Sequence, residues 1–230
     1  MKTMKARFLL AGLLLTCLSC TLDNYEYPDS GLYGSIIDDE TGELVQQDIF
    51  MGTVIYFSEQ GYANPALQSM VIKNNGEYRN TMMFRGSYEV YTSIESNFEP
   101  VEPFIINIDG LRKYDFRVTP FIRISNARVN RTGRKIKAAC TVQQVTSDSN
   151  VKTLGLFVST QPTVGKYLND ALVEINVGTK CLNPTDLTVE LNLEEFPDLK
   201  EGKTYYFRIG ALSGRGGAKY NYAPAIKLQL

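Results

Sequence analysis

Two stretches of the chain combine aromatic rings with side chains that donate and accept hydrogen bonds. Ser58-Glu-Gln-Gly-Tyr-Ala-Asn-Pro-Ala-Leu-Gln-Ser69 sets Tyr62 beside Asn64 in a connection that is long for a β-sandwich. Ser213-Gly-Arg-Gly-Gly-Ala-Lys-Tyr-Asn-Tyr222 gathers Arg215, Lys219, Tyr220 and Tyr222. Such rings stack on the face of a pyranose while amides and cations hydrogen-bond its hydroxyls. The expected ligand-binding residues are therefore Arg215, Lys219, Tyr220, Tyr222, Tyr62 and Asn64. A competing reading assigns the glycines of the second stretch to a hairpin turn and buries one of its rings at the start of the last strand.

Other chemistry is restricted by what the chain lacks. It has no His among 230 residues, which excludes a Ser-His-Asp triad, a Cys-His pair and imidazole ligands for zinc. The 25 Asp and Glu residues allow a glycosidase-type carboxylate pair, but no spacing picks one out. No catalytic residue, cofactor or metal is expected. Asp38-Asp39-Glu40 offers three carboxylates where calcium asks for six to eight oxygens, so it is read as a solvated turn. Cys140 falls on the apolar parity of Ile136, Ala138 and Val142, which places it on the buried face of a strand. With Cys181 it either forms a disulfide or stays a free thiol.

The N-terminus carries its own signal. Lys2, Lys5 and Arg7 precede the short apolar run Phe8–Leu18, and Ser19 then Cys20 follow. The run is too short for the roughly 20 residues of a membrane span. Leu18-Ser19-Cys20 resembles the lipobox of bacterial lipoproteins, with Cys17 standing where that motif usually has Leu. The resemblance implies a signal peptide over 1–19 and lipidation at Cys20. A polar tether over 20–30 would then hold the folded part off the membrane, making the membrane itself a partner through the lipid. The expected location is the outer membrane, on the cell surface. Removing the leader takes away three of the 24 basic residues and no acid, leaving 21 basic against 25 acidic groups and a net charge of −4. With no block of one sign, nucleic acid is not an expected partner.

The elements that must position these residues read as strands. Between Gly31 and Pro120, short alternating runs are separated by Gly-centred turns, among them Asn74-Asn75-Gly76. Gly34-Ser-Ile-Ile-Asp, Asn75-Gly76-Glu77-Tyr78 and Phe84-Arg-Gly-Ser-Tyr88 occur in the order that resembles a carboxypeptidase regulatory-like domain, a transthyretin-like sandwich. Tyr78 and Tyr88 would point inward. From 121 to 230, strands read at 121–129, 134–144, 151–159, 171–177, 186–193, 203–212 and 221–229, the spacing of a second sandwich. Asn169–Ile175 is open between strand and helical turn. Leu199-Lys-Glu-Gly-Lys-Thr-Tyr205 resembles the tyrosine corner of a fibronectin type III domain, with Phe207, Ile209 and Ala211 also inward. The fold class is thus all-β: two tandem sandwiches, 31–120 and 121–230.

As a whole the chain is similar to the uncharacterised two-domain lipoproteins of Bacteroidetes polysaccharide-utilisation loci. That resemblance implies a non-catalytic accessory in the capture or uptake of a polysaccharide or oligosaccharide, beside SusC/SusD-like outer-membrane proteins. The alternative is a scaffold, or an adhesin or pilus-type subunit, that binds no sugar.

Overall fold

The structure is a computed structural model that describes residues 27–148 and 150–230. Cys20, the signal peptide and most of the tether lie outside the described residues. All the long elements are strands; the one helical piece among the described residues is a 3₁₀ turn at Leu193–Glu195.

In the first half, β1 (Ser30–Asp38) lies between β4 (Glu77–Met83), antiparallel to it, and β7 (Leu111–Lys113) and β8 (Phe116–Val118), both parallel. The facing sheet runs β3 (Gln68–Val71), β2 (Val54–Glu59), β5 (Gly86–Thr92), β6 (Phe104–Ile108), antiparallel throughout. Alternation decides what lies between the sheets. Leu32 and Ile36 of β1, Ile55 and Phe57 of β2, and Tyr88 and Val90 of β5 point inward and are buried together with Tyr78, Phe98 and Phe116. Gly76 closes the turn before β4 at φ +89, a conformation that L side chains rarely adopt, and a Cβ there would lie 2.7 Å from the Val45 carbonyl oxygen.

The second half places β9 (Ile122–Thr132), β10 (Lys135–Gln144) and β13 (Thr185–Asn192) in one sheet. The other holds β11 (Val151–Ser159), β12 (Ala171–Thr179), β14 (Thr204–Ser213), β15 (Tyr220–Tyr222) and β16 (Ile226–Gln229). Strands one, two and five against three, four, six and seven is the fibronectin type III arrangement. Residues 171–179 settle as strand, not helical turn. The Tyr205 hydroxyl accepts from the Lys200 amide at 2.9 Å, and Tyr205, Phe207, Ile209 and Ala211 all face the core, as a tyrosine corner requires. The expected strand 221–229 is broken. Ala223 gives its N–H to the Ile209 carbonyl, and Pro224 has none to offer, so β15 and β16 pair with β14 separately. Cys140 and Cys181 are buried free thiols, so no disulfide joins them, and burial pushes the Cys140 thiol up to about 12.

What joins the halves is a buried cation. Arg208 lies on the face of β14 opposite the core of its own domain, yet it is 0% exposed. Segment 44–53, between β1 and β2, covers it. Nε donates to the Ala223 carbonyl, Nη1 to those of Gln47 and Val164, and Nη2 to the Asn74 carbonyl and Gln46 Oε1, at 2.7–3.3 Å. All five N–H groups are therefore used, and the guanidinium stacks 4.2 Å from the centre of the Tyr222 ring. Burial draws its pKa down to about 10, against the charges of Tyr222 and Asp48, which leaves it charged at neutral pH. Two amides extend the seam. Asn97 Nδ2 donates to the carbonyls of Gln46 and Tyr220, while Asn221 donates to the Asn97 carbonyl and accepts from the Ile122 amide.

A second clasp corrects the reading of the acidic turn. Asp38 is buried, and its two oxygens accept from Nε and Nη2 of Arg123 in the second domain at 2.5 and 2.9 Å. Burial alone would raise its pKa. The Arg123 hydrogen bonds, the Glu40 amide and the Arg123 charge outweigh that and hold it below the ordinary 3.8. No group of acidic or sulfur side chains suited to a metal occurs among the described residues.

Arg208→Met leaves four carbonyls without their donor and should cost about 3 kcal/mol, lowering Tm by roughly 6–12 °C in a thermal melt. A depressed carboxylate contributes stability above its unfolded pKa and loses it as pH falls through the folded one. The advantage of the wild type over Arg123→Gln in denaturant melts should therefore shrink as pH drops below 3.8.

Candidate functional site

The alternation that sends Ile55, Phe57, Val90 and Thr92 into the core sends Tyr56 and Tyr91 to the opposite face of the sheet. The register of β2 and β5 sets them directly opposite each other, with ring centroids 5.4 Å apart and planes at 42°. They are half-buried and form the floor of a cleft of about 630 Å³, within the usual range for a ligand site.

The walls come from three places. Val54 and Val71, paired across β2 and β3, continue the floor toward an apolar edge. Segment Asp48–Thr53 supplies Phe50 and Met51, both more than half exposed, and Ile94 just after β5 is 87% exposed. Met51 has φ 59, left-handed backbone that a long side chain occupies at a cost of order 1 kcal/mol or more. The strain is held by the turn around it: a Cβ on Gly52 would lie 2.0 Å from the Asp48 carbonyl oxygen, so the chain can fold back only with glycine there. Lys219 and Glu95 close the rim as an ion pair at 2.7 Å, and the ammonium holds the Glu95 carboxyl below its usual range.

The second domain fixes the outer wall. The Phe50 ring meets Tyr167 edge to face at 6.2 Å. Beneath it, Asp48 accepts from the Tyr222 hydroxyl at 2.6 Å and from the Lys166 amide at 3.1 Å. Burial raises the Asp48 carboxyl, with the Tyr222 hydrogen bond and the Arg208 charge acting the other way. The cleft is therefore a product of the domain junction and not of one sandwich.

Of the residues expected from sequence, only Lys219 lines this cleft. Tyr220 and Tyr222 are corrected: both are buried against Phe157 and Val164, because the loop after β11 folds over the sheet face they point to, and Asp48 of the first domain caps the Tyr222 hydroxyl. The Tyr220 hydroxyl donates to Glu174. Arg215 is also committed to the junction, paired with Glu99 and Asp148 and lying 4.8 Å over the Phe121 ring. Tyr62 and Asn64 are exposed in the β2–β3 connection, away from the cleft. Tyr56 and Tyr91 were missed, although a signal for them existed: the parity that places Tyr88 inside necessarily places Tyr91 outside.

Comparison with known proteins agrees with this two-part architecture. A family model described as the N-terminal domain of a protein of unknown function, DUF3823, matches residues 30–119. A second, the domain of unknown function DUF3823_C, matches 122–227. A crystal structure of a "putative carbohydrate binding protein" from Bacteroides uniformis is 32% identical, covering 88% of this chain and all of the other, with a TM-score of 0.77. DUF3823 family proteins from Parabacteroides merdae (19% identity, 89% and 100% coverage, TM-score 0.77) and Bacteroides ovatus (24%, 87% and 99%, 0.73) share the fold. No curated protein matches. The chain belongs to the DUF3823 family, a two-domain β-sandwich family of Bacteroidetes. None of these matches carries a catalytic assignment.

Proposed function

We propose that this protein is a lipid-anchored, non-catalytic accessory that captures glycan chains at the outer-membrane surface beside a SusC/SusD-type uptake complex. The observation that carries the reading is the Tyr56–Tyr91 pair, two rings presented side by side on a rigid sheet at the floor of an open cleft. Adjacent rings on a strand pair offer apolar faces to successive sugar units, and the Lys219–Glu95 rim offers a donor and acceptors to hydroxyls. The 32% identical relative named for carbohydrate binding supports the same reading. One observation favours the alternative of a protein-contacting scaffold: Met51 and Ile94 expose more apolar surface than a sugar needs.

Electrophoresis of the purified protein through native gels cast with plant, host and microbial polysaccharides separates the two. Retardation by at least one class is expected. Tyr56→Ala and Tyr91→Ala should each weaken it about tenfold, the loss of roughly 1.4 kcal/mol of ring contact, while Tyr62→Ala leaves it unchanged. No retardation by any member of the panel sinks the glycan reading in favour of the scaffold. For the anchor, Cys20→Ala should move the protein from the membrane fraction to the soluble one, because the acyl chains that hold it are no longer attached.

A further inference from the structure

Beside the Phe50–Tyr167 pair a second hollow of about 220 Å³ opens, sharing Lys219 with the aromatic cleft. Its character is different. Three lysines line it: Lys152 from β11, Lys166 from the loop between β11 and β12, and Lys219 from the turn before β15. Its lining sets these three lysines against the carboxylates of Asp48 and Glu174, and Glu95 pairs with Lys219 from outside, so what matters is which cation is left without a partner.

The carboxylates in the hollow are already engaged. Both oxygens of Glu174 are taken, one by the Tyr220 hydroxyl and one by Lys166 Nζ at 2.6 Å. Asp48 is 7% exposed and turned inward to Tyr222 and the Lys166 amide. Glu95 takes one N–H of Lys219 from the rim, and its side chain is 68% exposed to solvent. Each ammonium has three N–H donors, so Lys166 and Lys219 keep donors to spare. Lys152 is exposed and forms no ion pair or side-chain hydrogen bond among the described residues.

We infer that this hollow receives the anionic group of an acidic glycan, a uronate carboxylate or a sulfate, while the neighbouring sugar rings lie on Tyr56 and Tyr91. The inference rests on reading the adjoining cleft as a glycan platform, and it names the class of glycan. Lys152 supplies the uncommitted charge, and Lys166 and Lys219 supply further donors from fixed positions. Tyr167, half exposed at the boundary, gives the chain a ring to pass over between the two volumes. Neutral glycans would leave Lys152 unpaired and bind more weakly.

The test uses four probes in affinity gels and titration calorimetry: polygalacturonate, its carboxyl-reduced form, chondroitin sulfate and neutral galactan. Acidic probes should bind at least tenfold more tightly than neutral ones. That preference should fall away in about 0.5 M NaCl, where charges are screened over a few ångströms. Lys152→Glu should cut acidic binding at least tenfold at unchanged Tm, with Lys166→Gln acting in the same direction. Polygalacturonate binding without chondroitin sulfate binding assigns the hollow to carboxylates; the converse assigns it to sulfates. Binding of galactan or reduced polymer equal to the acidic forms overturns the inference and leaves the glycan reading standing. Acidic binding unaffected by both lysine changes also overturns it, since the anion is then held elsewhere. No binding of any of the four overturns it, while the platform beneath it stands or falls with the wider polysaccharide panel.

Discussion

The architecture depends on one guanidinium. A buried charge is tolerated only when its hydrogen-bonding capacity is met, and Arg208 has five N–H groups to satisfy. Its own domain provides two acceptors, the carbonyls of Val164 and Ala223; the first domain provides the other three through Gln46, Gln47 and Asn74. Neither sandwich alone can house that charge in its final position. Segment 44–53 must therefore lie where the carbonyl of Gln47 and the side chain of Gln46 meet Arg208. That placement sets Asp48 on Tyr222 and Phe50 on Tyr167. The cleft wall is a downstream consequence of satisfying a cation some distance beneath it.

The seam also explains why a single covalent connection leaves so little slack. Pro120 bridges Phe98, the Phe121 amide donates to the Asn97 carbonyl, and Asp38 grips Arg123 just beyond. Polar clasps of this type fix geometry more than they add stability, because the desolvation of each charge offsets much of its attraction. What they give this protein is a fixed angle between two sheets, and with it a rigid floor and a rigid wall for the aromatic cleft.

Much of the fold was legible because strands write their facing in period two. Tyr78, Tyr88, Tyr205 and Phe207 declare their cores through neighbours of the same parity, and the turn glycines mark where one strand ends. The site was less legible for the same reason. Parity says which face a side chain takes but not what covers that face. Tyr220 and Tyr222 stood as ligand residues against a reading that buries one of their rings, and parity could not decide between the two. Arg208 drew no notice between Phe207 and Ile209, because the element covering it lies some 160 residues earlier in the chain. One hint was present. Leu154-Gly-Leu-Phe-Val158 is apolar at every position, and such a run belongs to a strand buried on both faces. Asp38 misled in the other direction: a turn rich in carboxylates looks solvated until a distant arginine is brought to it.

The divided coordination of Arg208 has a bearing on how this chain can change over generations. Tandem sandwiches are commonly shuffled between genes as interchangeable beads, because each folds on its own core and meets its neighbour through a few polar contacts. Here a recombination that replaced the first half would strand a buried cation, and one that replaced the second would leave the carbonyls of Gln47 and Asn74 facing nothing. The two halves are heritable only as a pair, and drift at Gln46, Gln47 or Asn74 is answerable to a residue in the other half of the gene.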